Sequence, residues 1–494
     1  MLHSGPFDLA ADVVVIGLGD AGATAALTAR SEGADVLVVD KQPRASARPN
    51  SRYAAGFFLV PEDRDAAVGH LEGLYRVNGE DQEIDPALIR TWVEEAAATP
   101  GWWRSLGGVS ERVGPGGEHE TVEGAGSIAV HRARFLPGAS RDGCPVHTHL
   151  QDLVVRHDLP VLDEAAARHL LVDSRGHVVG VRVEQHGRTL DVRAGRGVVM
   201  ALGGFEFDER LKRAYLPTVP THFYGATANT GDGVAIAAEV GARLWHMTTH
   251  PGALVAHVPG TGYPGGLPVD LWRGRDGSAA GGVLVDGTGR RYTRETNRQH
   301  AMHLEVGALD ALTLRRPRIP VWWVFDERRR AGGPLVKTTM GPAGPVGDVS
   351  WSPGNLEEIE RGWVRRAATV PALAREIGVP EDDLRRTLDD YNRACARGED
   401  AELGRDPASL VPLDEPPFCA MPLWPGGSNT SGGAARDPEA RVLAHDGTPI
   451  PGLYSAGEFG SMYGLLYPGG GASIAECLAF GRVAGRAAAG RATR

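Results

Sequence analysis

Gly17, Gly19 and Gly22, in the run GLGDAG, have the spacing that lets a backbone close around a diphosphate. Gly17 permits the tight turn, Gly19 leaves room for a phosphate against the backbone, and Gly22 allows a helix to lie close on a strand. Ala21 belongs to the same turn. The run Asp12–Ile16 before it is β-branched, and Ala23, Ala25, Ala26 and Leu27 after it are helix formers. The motif therefore reads as strand, turn and helix, with the positive end of the helix facing the phosphates. A second apolar run, Val36–Val39, ends in Asp40 and Lys41. A carboxylate at that point is placed to accept hydrogen bonds from ribose hydroxyls. The motif alone does not separate one dinucleotide from another.

A second constellation lies near the other end of the chain. Leu453–Ala456 reads as a strand, Gly457 and Glu458 end it, and Gly469–Gly471 precede Ala472, Ser473, Ile474 and a helix of small residues. Between them stand Tyr463 and Tyr467, which would share a face if the stretch were helical. The surrounding glycines weigh against a helix.

These residues need elements to hold them, and the chain is long enough to supply two domains. It has 494 residues, 42% hydrophobic, and single cores stop growing near roughly 250–300 residues. The net charge of -10 comes with dispersed basic residues, so no nucleic-acid footprint is expected. The N-terminal apolar run is too short for a membrane span or a secretory signal. Cys144, Cys395, Cys419 and Cys477 have no metal or redox spacing, and a reduced, cytoplasmic compartment is expected. From about Gly266 to Ser409 the pattern changes to amphipathic helices, with Leu384, Leu388 and Tyr391 along one face.

In this order along the chain, the segments resemble the flavoprotein family of fumarate reductases, succinate dehydrogenase flavoprotein subunits and 3-ketosteroid dehydrogenases. RPNSRYAAG is similar to the family segment that passes the flavin ring, and it contributes Asn50, Ser51 and Gly56. Three meander-like strands follow, around Leu170–Val172, Val178–Val183 and Thr189–Val192, with Ala167 taken as a cofactor contact. VVMALGGFEFD, with Gly203 and Gly204, resembles the ATGGF stretch, and NTGDGVAIAAEVGA brings Asn229 and Asp232 near the cofactor. The resemblance implies an α/β fold: a Rossmann-type, glutathione-reductase-like FAD-binding domain over 1–265 and 410–494, with an α+β cap domain inserted over 266–409. It implies FAD as cofactor, with Glu458 on the ribitol chain and the amides before the last helix on the flavin's N1/C2 carbonyl edge. Asn50 stands at the best match to the position of the His that carries a covalent flavin link in succinate dehydrogenase, so the FAD is expected to be non-covalent.

On the substrate side the resemblance divides. Asn429 and Pro468 stand where fumarate reductases carry a substrate His and a carboxylate-clamping Arg, which argues against a small dicarboxylate. YPGGG instead resembles the Tyr-x-Gly-x-Gly of ketosteroid dehydrogenases, in which the Tyr hydroxyl and a Gly amide bind the substrate carbonyl. Those positions are Tyr467 and Gly471. Such a pair would polarise a ketone and acidify the adjacent C–H. The acid–base group has several candidates: Arg298 after the RRYTRE stretch, with His300 adjoining it, Tyr463, and His250 in HMTTHPG. The expected activity is FAD-dependent dehydrogenation, or the reverse reduction, of a carbon–carbon bond beside the carbonyl of a cyclic or steroid-like ketone. The alternatives are an ene-reductase of a carboxylate substrate using His250 and Arg298, or a flavoprotein subunit of an electron-transfer complex.

Overall fold

The computed structural model describes residues 1–83, 85–271, 281–296, 299–340, 349–464 and 466–490. Its larger sheet is built on the continuous apolar run at the N-terminus. Strand Leu9–Ile16 lies between two parallel neighbours, with Val14 opposite Leu37 of Val36–Val39 and opposite Val198 of Arg188–Met200. Val13, Val14 and Val15 are fully buried, as a strand covered on both faces requires. The sheet continues outward from Arg188–Met200 to Pro449–Ser455, also parallel, with Val198 opposite Leu453. Both ends of the chain thus contribute central strands.

Sequence patterning separates a third meander strand at Thr189–Val192 from the apolar VVMALGG stretch. The structure joins them in one strand of 13 residues. Its first half pairs antiparallel with Val178–Gln185, and its last residues pair parallel with Leu9–Ile16. A single strand can change partners in this way because only the hydrogen-bonding edges, not the side-chain alternation, differ between the two halves.

Helix Asp20–Ser31 follows the glycine turn, and helix Ala472–Gly490 lies across it. The crossing is close because it is made of small residues. A Cβ on Gly481 would come within 2.7 Å of the Thr24 Cβ, and one on Gly485 within 2.5 Å of the Ala25 carbonyl oxygen. A smaller three-stranded sheet, Phe57–Pro61, Ile128–Arg134 and Val109–Pro115, lies beside this helix pair and leads into the loop that carries Glu118.

A second large sheet is organised on Phe418–Gly427. This strand pairs with Gly252–Ala256 along one part of its length, and with Val321–Phe325 and Arg365–Ala367 along another. The sheet therefore draws strands from both sides of positions 266 and 409. Helices Val370–Ile377 and Glu381–Arg397 pack on it through Leu373, Leu384, Leu388 and Tyr391, against Val283 and Val324. Below this core, Arg291 bonds the carboxylates of Glu295 (2.6 Å) and Asp400 (2.8 Å), all three side chains nearly fully buried. A buried charge is stable only when paired in this way, and the cluster pins the start of the segment that leads to His300. No helix among the described residues is long and apolar enough to cross a membrane.

Candidate active site

One cavity of about 580 Å³ runs between the two sheets, and residues from both ends of the chain line it. At its nucleotide end are Gly17, Gly19, Ala21, Asp40 and Lys41. The glycine turn is enforced by its neighbours: Gly17 has φ +100°, and a Cβ on Gly22 would sit 1.8 Å from the Gly17 carbonyl oxygen. Gly22 is thus a packing residue behind the wall. Asp40 accepts the Leu18 amide at 2.7 Å and the Gln42 amide at 2.8 Å. Burial pushes its carboxyl up against the opposing pull of those amides. Lys41 reaches across to Asp232 (2.6 Å) and Thr230 (2.7 Å), which fixes the loop before helix Asp232–Ala238.

Ser51 accepts the Asp20 amide at the start of helix Asp20–Ser31 (3.2 Å), and Asp20 is paired with His147 at 2.9 Å. Asp20 places its carboxyl at a helix start that would face a diphosphate, and the bond to His147 holds it there. The middle of the cavity is lined by small side chains, among them Ala167, Ala201, Gly203, Gly225, Ala228 and Ala456. Asn50 accepts the Ala226 amide at 2.8 Å and donates to Glu458 at 3.3 Å. Glu458 is half-buried on the cavity wall, and desolvation, then the charge of Glu206, pushes its carboxyl up to about 8. Glu206 is itself raised to about 7 by burial, against hydrogen bonds from the amide and hydroxyl of Thr430. The two carboxyls therefore resist being ionised together.

At the far end are Tyr467, Gly471, Ser473 and Ile474 from the C-terminal turn, with His300, Lys337 and Met340 from the opposite side. The turn is not helical. The Tyr467 hydroxyl accepts the Ser473 amide at 2.8 Å and donates to Ser473 Oγ at 3.2 Å, so it sits at the N-terminus of helix Ala472–Gly490. Gly471 has φ +99°, and a Cβ there would press on the Phe57 backbone at 2.8 Å.

Some residues singled out from sequence lie elsewhere. Tyr463 is buried in the core, its hydroxyl donates to the Ala472 carbonyl at 3.2 Å, and it is not part of the cavity wall. His250 is also off the wall, packed between Phe223 and His303, with ring centroids 5.2 and 4.1 Å away. Gly56, Gly204, Gly457 and Ala472 serve close packing: a Cβ on Gly56 would meet Pro145, one on Gly204 would meet Thr430, and one on Gly457 would meet Ala21, while Ala472 is fully buried. Asn229 lines the cavity next to Gly203. Arg298 lies outside the described residues. Sequence reasoning missed Glu206, Glu118 and Lys337, and took His300 only as a neighbour of Arg298. The acid set between two aromatics in GGFEFD was the one local signal for Glu206.

The cavity fits FAD. It is long, lined by small residues where a planar ring or a backbone cradle needs room, and has a 12-residue helix start with an acid at the neighbouring strand end for the nucleotide. Asp40, Lys41 and the Gly17–Asp20 turn would hold the adenosine diphosphate half, with Asn50, Glu458 and the Gly471–Ser473 turn toward the flavin half.

Comparison with known proteins agrees. The FAD binding domain family matches residues 12–474. The NADH:fumarate oxidoreductase of Klebsiella pneumoniae is 29% identical, and the alignment covers 97% of this chain and 48% of that protein, so the chain spans about half its length. A 3-oxosteroid 1-dehydrogenase of Mycobacterium tuberculosis is 26% identical, with 96% of this chain and 97% of that protein covered. The crystal structure of 3-ketosteroid delta1-dehydrogenase from Sterolibacterium denitrificans, in complex with 1,4-androstadiene-3,17-dione, shares the fold: TM-score 0.81 at 21% identity, over 97% of this chain and 99% of that one. The chain belongs to the FAD binding domain family, and it is an FAD-dependent oxidoreductase related to the fumarate reductases and 3-oxosteroid dehydrogenases.

Proposed function

We propose that the protein dehydrogenates, or in reverse reduces, a carbon–carbon bond next to the carbonyl of a cyclic or steroid-like ketone. The observation that carries this reading is Tyr467: a phenol on the cavity wall whose oxygen accepts the Ser473 amide, with Gly471 beside it. A hydroxyl that accepts a hydrogen bond from an amide is a better donor to a second oxygen. It would polarise a ketone, and stabilise the enolate charge that develops as the α-proton leaves. FAD supplies the acceptor for the hydride from the β-carbon. The ketone oxygen has to compete with Ser473 Oγ for the phenolic proton, and the 3.2 Å length of that bond makes it the weaker of the hydroxyl's two.

The second sheet and its helices act as the cap, contributing Lys337 and Met340 to the wall and excluding water from the flavin. FAD is held without a covalent link. The four cysteines are unpaired, which suits a reduced compartment such as the cytoplasm. A second reading has one specific support: Lys337 brings a cation to the same cavity, which suits a substrate bearing a carboxylate.

Anaerobic bleaching of the flavin absorbance, screened against cyclic ketones and against dicarboxylates, tests both. Bleaching by a ketone supports the first reading. Reoxidation of chemically reduced enzyme by an unsaturated dicarboxylate, with no response to any ketone or enone, overturns it in favour of the second.

A further inference from the structure

We propose that His300, oriented by Glu118, is the base that takes the α-proton from the substrate. This rests on the ketone reading above and adds the proton's destination to it. His300 Nδ1 lies 2.6 Å from Glu118 Oε1. An ionised carboxylate can only accept, so Nδ1 carries the hydrogen and Nε2 keeps its lone pair. The ring lines the same cavity as Tyr467 and Gly471, and its centroid is 4.8 Å from that of the Tyr467 ring, at 47°. Proton acceptor and carbonyl donor are therefore neighbours at one end of the cavity.

The orienting group is itself held in place. The Glu118 amide donates to the Pro468 carbonyl at 2.8 Å, and His119 Nε2 lies 3.1 Å from the Tyr467 carbonyl oxygen. A Cβ on Gly469 would fall 2.0 Å from the Gly116 carbonyl oxygen, so the two loops touch backbone to backbone. Glu118 and Tyr467 thus belong to one packed corner, and His300 reaches it from the opposite side. Among the described residues, His300 meets Glu118 from that loop and the Tyr467 ring from the C-terminal turn, with His119 on the Tyr467 carbonyl beside them and His303 farther along its own segment. Burial pushes His303 down to about 4, so it stays neutral. A positive charge formed on His300 then meets the Glu118 carboxylate, and His303 adds no opposing charge.

In the dehydrogenation, the α C–H bond breaks and its proton passes to His300 Nε2. The electron pair left behind forms the C=C bond as the β C–H bond breaks, and the β-hydride goes to the bound FAD, which is the oxidant. The imidazolium is paired with Glu118 and returns its proton to water, its side chain being 30% exposed. A general base placed this way contributes about 10²–10⁴-fold.

The test uses FAD-loaded enzyme and a cyclic ketone that bleaches the wild-type flavin. In His300→Gln, the bleaching rate should fall by about 10²–10⁴-fold, with flavin content and the ketone-induced shift of the flavin spectrum kept. The wild-type decline in rate toward acid pH should disappear, and imidazole in the buffer should restore part of the rate to His300→Ala. Glu118→Gln should lose less and displace the acid decline. If His300→Gln loses its flavin, Glu118→Gln decides alone, and an unmoved pH profile there overturns the proposal. Wild-type rates in His300→Gln, or a loss with the pH profile intact and no imidazole rescue, also overturn it while the ketone reading stands. If no ketone bleaches the wild type, the ketone reading fails and takes this assignment with it.

Discussion

Asn50 Nδ2 donates to Glu458 Oε2 at 3.3 Å, across a sequence separation of 408 residues. With its Oδ1 on the Ala226 amide, this one side chain ties the segment after strand Val36–Val39 to the C-terminal turn and to the loop before helix Asp232–Ala238. Both ends of its carboxamide are engaged, and a carboxamide is no nucleophile toward a flavin methyl group. FAD should therefore leave the polypeptide intact on acid precipitation, with the yellow colour in the supernatant. Colour retained in the washed pellet would show a covalent link elsewhere.

The Glu206–Glu458 pair gives a pH dependence with a definite sign. Both carboxyls hold their protons more tightly folded than unfolded, with Glu206 at about 7 and Glu458 at about 8. Between the ordinary glutamate range and those values, the folded state binds more protons than the unfolded one. Raising the pH through that window therefore favours unfolding. The flavin-free protein should lose thermal stability from about pH 5 to about pH 9, and Glu458→Gln should flatten that decline. A Tm difference between variant and wild type that does not grow with pH would contradict the coupling.

Gly22 has no room for a side chain. A methyl group there would lie 1.8 Å from the Gly17 carbonyl oxygen, which is backbone and cannot swing aside. Gly22→Ala should cost about 3 kcal/mol or more and lower flavin content. Gly19→Ala has space, the nearest atom being Ser51 Oγ at 3.5 Å. It should fold normally and lose FAD affinity alone, because its methyl group occupies room meant for a phosphate. Thermal melts of the flavin-free proteins separate the two effects.

Sequence patterning reaches the nucleotide half of the site well, because its chemistry is local. Gly17, Asp40 and Lys41 lie within a short run of chain, and turn, helix dipole and strand-end acid follow from nearest neighbours. Ser473 and Ile474 are similarly readable as a helix start. The substrate half is assembled from segments hundreds of residues apart, and no spacing rule joins His300 to Glu118 or Glu206 to Glu458. Tyr463 and Tyr467 show the limit clearly. The two rings do meet, edge-on at 5.8 Å, but the described residues around them are not helical, and one hydroxyl turns to the core while the other reaches the cavity. Helix Glu381–Arg397 was legible because its apolar face repeats with the helical period, whereas the long strand Arg188–Met200 was not, since its change of partner leaves no mark on residue alternation.

Tyr467→Phe tests the carbonyl-binding corner, and the structure sets what else it must change. The phenylalanine keeps the ring that packs on His300 and Tyr463, but it removes the acceptor for the Ser473 amide. That amide is half-buried, so losing its partner costs less than the ~1–3 kcal/mol of a fully buried one, and the flavin-free variant should melt slightly lower than wild type. FAD held by the Gly471–Ser473 turn would recover part of that loss. If Tyr467 also polarises the substrate, the rate of flavin bleaching by a ketone should fall by about 10²–10³-fold beyond any loss of flavin. Ser473→Ala is the control: it removes the competing acceptor for the phenolic proton while leaving the backbone amide in place. It should bleach at least as fast as wild type. A Tyr467→Phe enzyme that melts lower but bleaches at the wild-type rate would leave Tyr467 as a helix cap and nothing more, and the carboxylate reading through Lys337 would then be the better account of the cavity.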